Sequence, residues 1–71
     1  MSKHYEFPTE FLELVRTMPF MEAEEMLETR RQDVLARLCA AEDADEVDLG
    51  YILSAINGEL HLVRRKMQRV K

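Results

Sequence analysis

The stretch Leu49–Leu62, LGYILSAINGELHL, decides the fold. Its apolar residues recur at helical intervals, and they do so on two sides. One set continues past the stretch as Leu49, Ile52, Ile56, Leu60, Val63, Met67 and Val70, in steps of three and four. Such a stripe is the seam of a helix packed lengthwise against another. The second set, Tyr51, Ala55, Gly58 and Leu62, is spaced 4, 3 and 4. At ~100° per residue it lies about 120–140° from the centre of the seam. One neighbouring helix satisfies the seam, so the second stripe needs a partner of its own.

Immediately upstream, AEDADEVD (residues 41–48) is acidic and lacks the apolar period. Asp43 followed three residues later by Glu46 fits a capping box, with Asp45 as the other candidate cap. Either choice starts the last helix, predicted over about 44–70. Before this cluster, FMEAEEMLETRRQDVLARLCAA runs twenty-two residues without Gly or Pro. Phe20, Ala23, Leu27, Val34, Leu38 and Ala41 share one face, with Leu35 at its edge, and the helix is predicted over about 19–41. Glu22, Glu24 and Glu25 fall in its first turns, where the helix dipole favours negative charge. So short a connection makes the two helices antiparallel neighbours, a hairpin roughly 35 Å long.

Pro19 both opens this helix and ends a shorter one, since the residue before a proline avoids the α region. The shorter helix is predicted over about 8–17, with Pro8 in its first turn. Phe7, Phe11, Leu14, Val15 and Met18 are its expected inward face. Two readings of the second stripe follow. The short helix folds back over it to give a three-helix bundle, or a second chain covers it. About ten residues cannot span the hairpin, so apolar surface is expected to remain for a homodimer or a target protein. Gly58 points the same way, because glycine inside a helix costs ~1 kcal/mol relative to alanine and invites a packing reason.

Length supports this expectation. Seventy-one residues make a single domain, 1–71, and one core of this size supplies about 3–5 kcal/mol. Small folds add disulfides, a metal or a second subunit. Cys39 is the only cysteine, which removes the first and suits a reducing compartment. The other soft ligands, His4 and His61, are far apart in sequence, so no metal and no cofactor is expected. The N-terminus MSKHYEFPTEF has no apolar run of signal-peptide length, and the expected location is the cytoplasm.

Charge is unevenly placed. LHLVRRKMQRVK, the last twelve residues, holds five cations and no acid, whereas the rest holds five cations and all fourteen acids. A basic end can bind phosphate backbones, and Arg64, Arg65, Lys66 and Arg69 are the candidate nucleic-acid contacts. Folding the hairpin about residues 43–45 instead sets Arg64 and Arg65 beside Glu24 and Glu25. With net charge −4 and no aromatic residue among the arginines, nucleic acid is the lesser expectation. Arg31, seated in the second helix's stripe between Leu27 and Val34, either lays its stem along the interface edge or anchors a partner's carboxylate.

Catalytic chemistry is not expected. Glu59 and His61 are two apart and so point to different sides of a helix. Cys39 has no adjacent histidine, there is no glycine-rich phosphate loop, and the Glu-x-x-His pattern of metal-binding bundles is missing. Met18, Met26 and Met67 suit a core, whereas Met21 falls off the stripe, and Met26, at the opposite edge, equally suits an exposed position.

The expected architecture is all-α: a short N-terminal helix plus a long antiparallel hairpin, pairing with a second copy into a helical bundle. A similar outline occurs in secretion co-chaperones, small phage-encoded inhibitors and many regulators, and outline does not fix function. The expected role is a non-enzymatic protein–protein interaction module, a regulator, inhibitor or adaptor that docks a helix face on a target. Tyr51, Ala55, Gly58 and Leu62 are the expected contacts, with Phe11 and Met21 added. Tyr51, large and with a polar tip, is the best candidate hot spot.

Overall fold

The computed structural model describes residues 7–69, apart from the Ala44 side chain. It is all-helical, with α1 at Thr9–Arg16, α2 at Phe20–Cys39 and α3 at Asp43–Arg69. No strand occurs among the described residues. Each helix falls within two residues of its expected bounds. Val70 of the predicted seam and His4 lie outside the described residues.

Both prolines sit one position ahead of a helix. Each offers its carbonyl to the first turn: Leu12 N–H donates to Pro8 O at 3.0 Å, and Ala23 N–H to Pro19 O at 2.9 Å. Neither helix has a side-chain cap at that end, and each proline removes one of the backbone donors that would otherwise lack a partner there. At the other end of α1, the Thr17 hydroxyl and amide both donate to Leu14 O, at 2.7 and 3.0 Å. That closes the helix in time for Pro19.

Ala40–Glu42 join α2 to α3. The bend needs no left-handed residue; Ala40 keeps φ −101° and ψ 0°. Tightened bonds from Ala40 N–H to Arg37 O and from Ala41 N–H to Leu38 O, both 3.2 Å, take up the last carbonyls of α2. Asp43 does not cap α3 as the capping-box reading has it. The helix begins at Asp43, and the Glu42 carbonyl receives the first bonds from Asp45 and Glu46 N–H. Glu42 thus holds the cap position, and Asp43, Asp45 and Glu46 sit in the first turn, favoured there by the dipole.

α2 and α3 pack closely along their length. Leu49, Ile52, Ile56, Leu60 and Val63 of α3 are buried, together with Ala23, Leu27 and Val34 of α2. Leu38, Ala41 and Met67 pack partly against them. Arg64 on α3 bonds Glu24 and Glu28 on α2, which fixes the antiparallel register. Arg65 and Glu25, expected beside them, are exposed and unpaired among the described residues. One residue of phase on a helix moves a side chain ~100°, so a single arginine reaches the opposite helix. Phe20, at the first position of α2, is exposed rather than part of the core, as is Met26.

α1 lies over the hairpin with a different face inward from the one expected. Leu12 and Val15 are buried, Phe11 and Met18 partly so, whereas Phe7 and Leu14 are exposed. Two contacts to the rest of the chain set this rotation. Arg30 of α2 stacks on the Phe11 ring at 4.4 Å from its centroid. Arg16 reaches Glu59 of α3. Held at both edges, the helix turns Leu12 down in place of Leu14. The molecule extends 48 × 20 × 14 Å, and eight residues of α1, about 12 Å of helix, cover a fraction of that length.

Candidate functional site

What α1 leaves bare is the outer face of α3. Tyr51 is 69% exposed and Leu62 47%. Gly58 is exposed between them, and a Cβ built on it meets nothing within 4 Å. Close packing within the chain therefore does not account for this glycine. Ala55, the fourth expected member, is half-buried against the core. The second stripe is thus divided: one residue is drawn into the monomer and three stay open.

Phe11 is likewise taken up internally, under Arg30. Met21, at 76% exposure the most open of the large apolar residues, stands on α2. Among the expected contacts, then, the fold brings together only Tyr51, Gly58 and Leu62.

Sequence reading missed two members of this face. Val47 is 60% exposed, yet it was hidden within the acidic cluster, where it reads as part of a cap. Phe7, also exposed, shares a shallow depression with Asp48, Tyr51 and Ile52, so apolar surface continues from α3 onto the approach to α1. The signal for Val47 is its place four residues before Tyr51.

At the other end, Leu62 lines a shallow depression with Arg65, Lys66 and Arg69. These three cations are exposed and make no ion pair among the described residues. Arg64, in contrast, is occupied by Glu24 at 3.0 Å and by Glu28. Its hydrogen bond to Glu24 holds the guanidinium pKa above its ordinary value.

Glu59 is the one charged residue buried among those described, at 8% exposure. Its Oε1 accepts from Arg16 Nε at 3.1 Å and from Nη2 at 2.5 Å. That hydrogen bond raises the Arg16 pKa from its ordinary value. His61 points to solvent two residues on, so no acid–base pair forms between it and Glu59. Arg31 is half-buried and lies 3.6 Å from Glu28 on its own helix. Its carboxylate neighbour is therefore internal, and the arginine follows the edge of the interface. Cys39 is exposed at the end of α2.

Among the described residues no three His, Cys, Asp or Glu side chains gather as a metal site, and no helix is long and apolar enough to cross a membrane. The chain matches no protein-family model, and no curated protein or solved structure matches it at a significant level.

Proposed function

We propose that this protein is a small non-enzymatic interaction module that docks the outer face of α3 on another protein. It acts as a regulator, inhibitor or adaptor in the cytoplasm. A single observation carries the reading: Tyr51, Gly58 and Leu62 remain open after the chain has buried its own seam. An aromatic residue with a polar tip beside aliphatic surface is the composition of an interface hot spot.

A nucleic-acid-associated regulator using Arg64, Arg65, Lys66 and Arg69 is the second reading. Three of these cations are free for phosphate, but Arg64 is engaged by two carboxylates of α2. No aromatic residue lies among them for base stacking.

Photo-cross-linking in cells tests the docking reading. A benzophenone amino acid replaces Tyr51, Leu62 or, as a control on the exposed side of α2, Gln32. Adducts to a polypeptide from positions 51 and 62, with none from 32, are expected. Failure of both α3 positions to capture any polypeptide removes the proposal.

A further inference from the structure

The outer face of α3 carries one continuous exposed strip. Val47, Tyr51, Ser54, Gly58, Leu62, Arg65 and Arg69 are all exposed, and their spacings run 4, 3, 4, 4, 3, 4. At ~100° per residue they share one strip about 80° wide. The order of spacings is the same read from either end, with Gly58 in the middle. We propose that this strip pairs with the same strip of a second copy, antiparallel, about a two-fold axis at Gly58. This rests on the reading of the α3 outer face as a docking surface and names its occupant.

Charge selects the direction. Asp43 and Asp48 flank one end of the strip, while Arg65, Lys66 and Arg69 occupy the other. None of these five groups has an ion-pair partner among the described residues. Antiparallel pairing sets Asp48 of one copy beside Lys66 of the other, because both stand on the same flank of the strip. Parallel pairing instead sets Arg65 against Arg65 and Arg69 against Arg69 near the midline of the strip, and like charges facing each other repel.

The same register places Tyr51 under Arg65 of the other copy, a cation–π arrangement, and Val47 under the aliphatic stem of Arg69. Ser54 meets Leu62. At the axis Gly58 meets Gly58, where the missing side chains let two helices approach closely. Gly50 is equally uncrowded but lies off the strip, so the glycine alone does not make the case. The place of Gly58 midway between Tyr51 and Arg65, whose pairing across the axis sets the register together with Asp48 and Lys66, does. An isologous contact of this kind closes at two subunits.

Single cysteines in a Cys39→Ser background test the register. Gly58→Cys is expected to oxidise to a covalent dimer, since residue 58 meets its own copy. Val47→Cys alone is expected to stay monomeric, because the two sites stand about 33 Å apart at 1.5 Å per residue. Combined with Arg69→Cys it is expected to cross-link between copies. Self-linking by Val47→Cys overturns the antiparallel assignment. A Gly58→Cys protein that is helical by circular dichroism yet stays monomeric on oxidation, together with a Val47→Cys/Arg69→Cys protein that does not cross-link, overturns the pairing altogether.

Charge exchange supplies a second readout. Asp43→Lys with Asp48→Lys, and Arg65→Glu with Lys66→Glu, are each expected to sediment as monomers and to associate when mixed. No association on mixing overturns the role assigned to charge. If wild type is monomeric and the Tyr51 benzophenone captures a different polypeptide, self-pairing fails while docking stands. If it captures nothing, both fail.

Discussion

Arg16 and Glu59, 43 positions apart in sequence, meet across the side of the molecule with two guanidinium nitrogens on one carboxylate oxygen. Arg16 itself faces solvent; the carboxylate is the buried member. The pair joins α1 to α3, whereas the Arg30–Phe11 stack joins α1 to α2. Together they fix the rotation of α1 and thereby how much of α3 stays open.

Removing Arg16 strands a buried carboxylate, which is costlier than losing an exposed pair. Arg16→Ala is expected to release α1 selectively: amide exchange over Thr9–Arg16 rises while the seam of the hairpin stays protected. Arg16→Met with Glu59→Leu is expected to melt above Arg16→Ala, because no unpaired charge is left behind. Unchanged exchange in α1 after Arg16→Ala argues against the latch.

The arginine side of this contact is insensitive to pH. The hydrogen bond to Glu59 holds the Arg16 pKa in the folded state above that of a free guanidinium. Its stabilisation is therefore fully present below the unfolded value and is lost only as pH rises through the folded one. Protection of α1 is expected to hold from neutrality to about pH 10. Loss of protection confined to α1 within that range contradicts the assignment.

Leu27 has no exposed surface, and its truncation leaves a cavity in the seam. Leu27→Ala is expected to cost ~2–5 kcal/mol, comparable to the ~3–5 kcal/mol that one core of this size provides. Urea titration followed by circular dichroism is expected to show a largely unfolded chain at the dilution where wild type is folded. Leu14→Ala, in contrast, is expected to stay within ~0.5 kcal/mol of wild type. Equal effects at the two positions contradict the observed rotation of α1.

Gly58 and Gly50 separate helix stability from association. Alanine at either site meets no neighbour, so each substitution is expected to raise chain stability by ~0.5–1 kcal/mol. Only Gly58→Ala is expected to weaken the dimer in sedimentation equilibrium, since it alone puts two methyl groups on the axis. Parallel effects of the two on association count against Gly58 as the centre.

Arg65, Lys66 and Arg69 lack an aromatic platform, and the chain carries net charge −4. No retarded band is expected for DNA or RNA at physiological salt. A shift that disappears on Arg65→Ala with Lys66→Ala favours the nucleic-acid reading instead.

Much of the architecture was legible because the seam of α3 keeps an unbroken step of three and four. Leu49, Ile52, Ile56, Leu60 and Val63 were all identified from spacing and are all buried. Prolines 8 and 19 marked helix starts to within a residue. The face of α1 was misjudged because eight residues carry too few apolar positions to fix a phase, and tertiary contacts chose it. Glu59 was invisible as a latch for a related reason: its partner is 43 positions away, beyond any local pattern. On α3, Ala55 is drawn half-way into the core by packing that spacing alone does not reveal, and Val47 was masked by the acids around it.

The bend at Ala40–Glu42 also dictates the order of assembly. Closing so short a loop loses little chain entropy, so contacts nearest the bend form first and the hairpin zips toward its open end. The Arg64 pairing to Glu24, 40 positions away, completes that process. α1 has no groove to enter until the zip has passed Glu59, which makes it the last segment to settle and the first to leave.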